Sequence, residues 1–277
     1  MTEPAQVIFV AAGPGRSGAD STLTALSAHP FVTTAPVWNV AMTAAVNRLL
    51  AHAPNDDHNW LPRRAAQALT DVIARLDAGS AADRAAASDL LSRTRARSVT
   101  IPVYGRLWVP DPLPRRHWQR LIRETMLLTA SGGSHLAVKI GPHVSRLVAG
   151  VLGPEDCLLF AVRHPVETAV QLAASRVDGM RPDEAVQYVD VALRHARHVL
   201  TGLDTRVDPV RLEELAHSPE STLARVEEIA RLPRVAWPPH VLEALPHDVG
   251  RAPDLDHPLA RAHGADLTAL ASQWGYA

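Results

Sequence analysis

A charge-free run, Val7–Ile8–Phe9–Val10, is followed within a few residues by Gly13, Pro14, Gly15 and Gly18, and then by Leu23 and Leu26 at helical spacing. β-Branched and aromatic residues without charge suit a strand buried on both faces. Asp20 and Ser21, at the front of the leucine pattern, read as helix-start residues, and the pattern ends at His29–Pro30. A strand that feeds a helix through glycines aims free backbone N–H groups and the positive end of a helix dipole at one point. The stretch from Val7 to Val32 therefore predicts a site for a phosphate-like anion at the edge of an α/β sheet.

Gly13 and Gly18 have the G-x-x-x-x-G spacing of an ATP-binding loop, but the next two positions, Lys and Ser/Thr in that loop, are Ala19 and Asp20. No hydroxyl stands there for a nucleotide-bound Mg²⁺, and no lysine for the terminal phosphates. A magnesium-dependent kinase or ATPase is disfavoured. Arg16 places a positive charge inside the loop instead.

The 277 residues suffice for one large core, and one α/β domain spanning 1–277 with insertions fits better than two small domains. A net charge of −1 provides no global field for nucleic acid or a membrane surface, so a small-molecule partner is expected. Apolar content of 47 % without an unbroken apolar span of ~18 residues predicts a soluble chain. No basic leader precedes Val7, so no signal peptide is expected and the cytoplasm is the default. The lone cysteine, Cys157, excludes an internal disulfide and a cysteine metal cluster. Of the 28 basic residues one is a lysine, Lys139, and the rest are arginines. A GC-rich genome explains most of that bias, yet the surviving ammonium marks a position where a compact point charge differs from a planar fork.

Along the chain, residues 35–98 are Ala-, Leu- and Arg-rich with helical periodicity and read as a helical insertion. Thr100 to Pro114, with four prolines, Tyr104, Arg106 and Trp108, reads as an irregular aromatic-bearing loop, and Arg115 to Thr129 as a helix. Leu136 to Ile140 and Cys157 to Val162 are apolar strands, and Val207 to Leu212 is another. Arg181 to Leu203 is the clearest helix, with Pro182 near its start; a further helix starts at Ser218–Pro219; residues 233–265 read as a long loop. His195 and His198 read as a solvated face. Strands separated by helices imply a mainly parallel sheet with helices on both faces. Arg16, Lys139 and Arg163 then fall at strand ends on one edge, where such folds bind ligands.

The segment Gly13, Gly15, Arg16, Ser17, Gly18, then a helix and His29–Pro30, resembles the 5′-phosphosulfate loop of bacterial sulfotransferases that use 3′-phosphoadenosine 5′-phosphosulfate (PAPS). The order of later segments is similar too: Lys139 near the end of a strand, Arg163-x-Pro165 after a strand, and the closing LASQWGY. The resemblance implies a P-loop NTPase-like sulfotransferase fold, PAPS as co-substrate and no metal. It implies that Gly13, Pro14, Gly15, Arg16, Ser17, Gly18, Ala19, Asp20 and Ser21 hold the phosphosulfate. Lys139 would assist departure of the phosphate, with Arg16 adding charge. The family's basic histidine position is Gly141 here, which leaves His143, His135 or a carboxylate as proton acceptor. Arg163 and a serine eight residues later clamp the 3′-phosphate in the family; the serine position is Gln171 here, and Arg251 falls where a late arginine segment reaches that phosphate. Residues 35–130 would help to build the acceptor side. Where the family carries hydroxyls, Ala19 and Asp20 stand. Asp20 either caps the helix and points away, with Ser21 or Thr22 supplying the hydroxyl, or it competes with the anion. The expected activity is sulfuryl transfer to a hydroxyl or amine of a small molecule. The alternative is a sulfotransferase fold whose donor site has changed, acting as a binding or regulatory protein or catalysing another reaction.

Overall fold

A computed structural model of the protein describes residues 6–15, 17–54, 62–130, 135–141, 146–175, 180–203, 205–246, 249, 254 and 256–276. The chain opens with β1 (Val7–Ala12), passes through the glycine loop into α1 (Ala19–Ser27), and reaches β2 (Val32–Thr34). Three helices follow, α2 (Val40–Ala51), α3 (Pro62–Asp77) and α4 (Ala81–Arg93), then the hairpin β3 (Arg97–Ile101) and β4 (Gly105–Val109), then α5 (Arg115–Thr129). β5 (His135–Ile140), α6 (Arg146–Ala149), β6 (Cys157–Val162), α7 (Pro165–Ala174), α8 (Pro182–Leu200) and β7 (Arg206–Arg211) complete the sheet and its crossovers. The chain ends in α9 (Leu212–His217), α10 (Pro219–Ile229), α11 (Pro239–Glu243) and α12 (Pro258–Gln273).

Five strands form one parallel sheet in the order β2-β5-β1-β6-β7. Alternation along β1 explains why it must lie at the centre. Val7, Phe9 and Ala11 face one core, with α2, α3, α5, α7, α8 and α12, while Ile8 and Val10 face the other, with α1 and α10. The two neighbours β1 and β6 send their following helices, α1 and α7, to opposite faces of the sheet. A crevice opens at such a reversal, above the carboxyl ends of the strands.

The opposite end of the sheet is closed by one carboxylate. Asp156, fully buried, accepts hydrogen bonds from Val7 N at 2.7 Å, Gly153 N at 2.6 Å, Arg123 Nε at 2.6 Å and Arg123 Nη2 at 2.9 Å. The carboxylate holds the Arg123 guanidinium above its usual range. β1 is thereby fixed to the start of β6 and to α5, which keeps the registers of both strands aligned at the far end, where the loop lies.

The parallel sheet with helices on both faces is as expected. Several local expectations are corrected. An antiparallel hairpin, Arg97 pairing Val109 and Ile101 pairing Gly105, spans the end of the stretch read as helical and most of the segment read as an irregular loop, and its turn uses Gly105 at φ 70°. β2 was not foreseen, the strand expected to reach Leu212 ends at Arg211, and the stretch 233–265 holds α11 and the start of α12. α1 begins at Ala19, with Gly18 rather than Asp20 or Ser21 as its N-cap.

Candidate functional site

The glycine loop is set by two close approaches. Gly13 N donates to Ala161 O at 2.8 Å, and a Cβ on Gly13 would stand 2.5 Å from that same oxygen, so only glycine lets the loop lie against β6. Gly18 adopts φ 91°, ψ 6°, and a Cβ there would meet Leu212 Cδ1 at 2.7 Å. The left-handed residue turns the chain into α1 and offers no side chain to the first helical amides, which have no intrahelical acceptor. Ser17, buried, donates its hydroxyl to Gly13 O at 3.4 Å.

These residues form one wall of a cavity of about 680 Å³ lined also by Val40, Lys139, Arg163, Gln171, Tyr188, Leu212, Pro246 and Val249. Of the residues singled out in the sequence, Gly13, Gly15, Ser17, Gly18, Ala19, Asp20, Ser21, Lys139, Arg163 and Gln171 all line it. Pro14 is buried and is not among the lining residues. Arg16, His143 and Arg251 lie outside the described residues. Lys139 and Arg163, 24 positions apart in sequence and on separate strands, are brought to one crevice because β5 and β6 flank β1 in parallel register.

Each cation faces a carboxylate. Lys139 Nζ lies 2.5 Å from Asp20 Oδ1; the lysine side chain is 25 % exposed and the aspartate 82 %. Asp20 thus projects to the rim and bonds the ammonium, rather than capping the helix. Arg163 Nη2 contacts Glu167 Oε2 at 3.4 Å one turn along α7, while Arg163 Nε is buried without a hydrogen-bond partner. Gln171, two turns on from Arg163, shares that face of α7. Of the two hydroxyls proposed to replace the missing ones, Ser21 lines the cavity, and Thr22 donates to Gly18 O at 3.0 Å. His135 is set aside as a proton acceptor: it starts β5, roughly 13 Å of strand from Lys139, and its Nδ1 accepts from Gln6 N at 3.4 Å.

No protein-family model matches the chain, and no curated protein matches it. Solved structures do. The sulfotransferase domain from the curacin biosynthetic pathway superimposes with a TM-score of 0.53 at 16 % identity, over 100 % of this chain and 99 % of that one. The sulfotransferase domain from the Synechococcus PCC 7002 olefin synthase gives 0.56 at 14 % identity, over 100 % and 97 %. A sulfotransferase from Alicyclobacillus acidocaldarius gives 0.50 at 13 % identity, over 100 % and 98 %. This chain has the sulfotransferase fold.

Within that fold, the turn that carries Arg163 is held by a second set of residues that the sequence reading missed. Glu213 accepts from His164 N at 2.9 Å and from Tyr276 Oη at 2.9 Å, and the Tyr276 ring meets His164 edge-on at 5.0 Å. Burial and the Glu213 carboxylate push the Tyr276 phenol well above its usual range, so it stays a donor. Tyr276 appears in the sequence only within the closing family-like segment LASQWGY. Glu167 carried a clearer signal: it lies four residues after Arg163 at a helix start.

Proposed function

We propose that this protein is a metal-independent, PAPS-dependent sulfotransferase that moves a sulfuryl group onto a hydroxyl or amine of a small molecule. The observation that carries the reading is Arg163: its side chain is 10 % exposed, lines the cavity, and keeps Nε without a partner. A buried donor left unpaired costs about 1–3 kcal/mol, and phosphate oxygens match a guanidinium fork. The glycine loop lines the same cavity and adds backbone donors, so the residues present fit an anion with two phosphorylated ends.

On this reading the amides of Gly15 to Ala19 and the Ser21 hydroxyl hold the 5′-phosphosulfate, and Arg163 with Gln171 holds the 3′-phosphate. Arg16 and Arg251 are proposed to add charge. PAPS supplies a sulfuryl group already activated by its phosphate. Lys139 offsets charge that develops on the departing phosphate oxygen. Asp20, the carboxylate lining the cavity among the described residues, takes the proton released by the acceptor. His143, three residues beyond the end of β5, is the second candidate for that proton. Residues 35–130 form the acceptor side.

One observation favours a second reading. Both described cations of the cavity already face a carboxylate, Lys139 with Asp20 and Arg163 with Glu167, which suits a ligand carrying less charge than PAPS. The same fold would then bind or transform a different molecule. Calorimetric titration of the wild type with PAP (the desulfated donor) and PAPS, repeated on Arg163→Ala, separates the two. Binding that weakens at least tenfold in the variant supports the enzyme, and labelled PAPS with phenols, sugars and amines then finds the acceptor. No binding by the wild type removes the PAPS reading and leaves the second.

A further inference from the structure

A second cavity, of about 540 Å³, lies away from the strand ends, between the end of α2, the outer face of α3 and the β3–β4 hairpin. Its cations are Arg48 from α2, Arg64 from the first turn of α3 and Arg106 from β4, with His52 just past α2. Asp71 is the one carboxylate among the described lining residues. The floor includes buried Ala68 and Leu107, and Tyr104 brings an aromatic ring on which the Arg63 guanidinium rests at 4.0 Å.

The basin is built rather than incidental. Trp108 N donates to Thr70 Oγ1 at 2.8 Å, which pins the hairpin to α3. Arg106 is held by Ser98 Oγ at 2.8 Å and by the Trp108 ring at 4.6 Å, and Arg48 by Asp71 Oδ2 at 2.8 Å. Cations fixed in this way lose little freedom on binding a ligand. Burial, and next the Arg64 charge, hold the His52 imidazole below its usual range.

We propose that this basin is a second binding site, for an oxyanion (carboxylate, phosphate monoester or sulfate monoester) carried on an apolar or aromatic body. Guanidinium forks recognise such groups bidentately, and Leu107, Ala68 and Tyr104 cover the body. α2 connects the basin to the first cavity: Val40 at its start lines one, and Arg48, eight residues or about 12 Å further along the helix, lines the other. As an anion site the basin stands by itself. As the place where an acidic acceptor is gripped while its nucleophile faces Lys139, it rests on the sulfotransferase reading.

Phenyl phosphate, phenyl sulfate and benzoate, with phenol as the neutral control, are titrated calorimetrically at low salt into wild type, Arg64→Gln/Arg106→Gln, Asp71→Asn and Arg163→Ala. The anions are expected to bind at least tenfold tighter than phenol, and the best of the three identifies the oxyanion. The double variant should lose at least tenfold, Asp71→Asn should gain severalfold by freeing Arg48, and Arg163→Ala should keep the binding component that the double variant loses. Equal binding of phenol and anions, absence of saturable binding, or binding that Arg163→Ala abolishes and the double variant spares would overturn the proposal. Should the double variant melt early, Arg64→Gln alone, on an exposed residue, gives the same readout. Failure of PAP to bind while these probes bind removes the PAPS reading and leaves this one standing.

Discussion

Replacing Asp20 by Asn removes one charge at the rim of the first cavity and changes little else. The carboxylate lies 2.5 Å from Lys139 Nζ. A ligand oxyanion taking a hydrogen bond of about 2.8 Å from the same ammonium would stand about 5 Å from the Asp20 oxygen. Two like unit charges at about 5 Å repel by about 0.8 kcal/mol in water and about 3 kcal/mol at an effective dielectric of about 20. With the Asp20 side chain 82 % exposed the water-like end applies, about 1 kcal/mol. Giving up the ion pair with Lys139 costs the ligand about 0.2–1 kcal/mol more. Removing both terms, about 1–2 kcal/mol, should tighten PAP binding about 5- to 30-fold in Asp20→Asn. The gain should shrink as NaCl rises, because exposed charges are screened. In a Lys139→Met background the pair is already lost, so Asp20→Asn should recover the repulsion alone. The same variant should slow sulfuryl transfer by about 10²–10⁴, the usual contribution of a proton acceptor. Titration at two salt concentrations decides it: a PAP affinity in Asp20→Asn that is unchanged or weaker at low salt refutes the reasoning, since the carboxylate would then not face the anion.

Gly13→Ala should destabilise the fold by roughly 1–3 kcal/mol in urea melts and abolish PAP binding, because its Cβ would lie 2.5 Å from the backbone oxygen of Ala161, which cannot step aside. Asp156→Ala strands Arg123 and two backbone donors and should cost about 3–5 kcal/mol, read by the same melts, with PAP affinity preserved in the folded fraction. His164 caps α7 by accepting Val166 N–H at Nδ1, and burial, opposed by Glu213 and Glu167, holds it below the usual 6.5. Unfolded chains bind that proton first, so stability should fall as pH drops below about 6.5; His164→Asn keeps a capping oxygen and should flatten this part of the profile, and equal pH slopes for the two proteins would contradict the assignment. Burial pushes the Cys157 thiol up to about 12, so thiol reagents should label it only on unfolding, a rate that native-state labelling time courses measure.

What the sequence disclosed follows from how locally each feature is encoded. β1 and β6 are continuous apolar runs, and β5 is apolar apart from His135 and Lys139, because both faces are buried; Lys139, next to last in β5, and Arg163, just past β6, could therefore be placed at the ligand edge from the sequence alone. β2 has three residues, and its position depends on pairing with β5 about 100 residues away, through contacts such as His135 N to Phe31 O at 2.8 Å. No local periodicity encodes that. The hairpin was hidden for another reason: β3 is exposed along nearly its whole length, so no apolar alternation marks it, and its bounding prolines imitate a loop. The pairing of Asp20 with Lys139 was equally unreadable, because it joins a helix to a strand 119 positions away.

The two ends of the sheet use the same chemistry to opposite effect. At the amino end Asp156 receives four hydrogen bonds from two backbone amides and one guanidinium, which leaves that carboxylate satisfied and the end closed. At the carboxyl end the first amides of α1 face a cavity, and Arg163 keeps a buried Nε without an acceptor. Saturated polar groups fix strands in register, whereas an unsatisfied one costs free energy that a matching ligand recovers. The closed end therefore holds the open one in place: β1 and β6 cannot slide while Asp156 bridges them, so the loop that hangs from β1 and the arginine that follows β6 keep their separation. Mutations at the amino end should thus appear as stability, and mutations at the carboxyl end as affinity. Arg163→Met is the sharpest case: it removes an unpaired buried donor and a weak 3.4 Å contact to Glu167, so its thermal midpoint should stay at or above that of the wild type while PAP binding is lost.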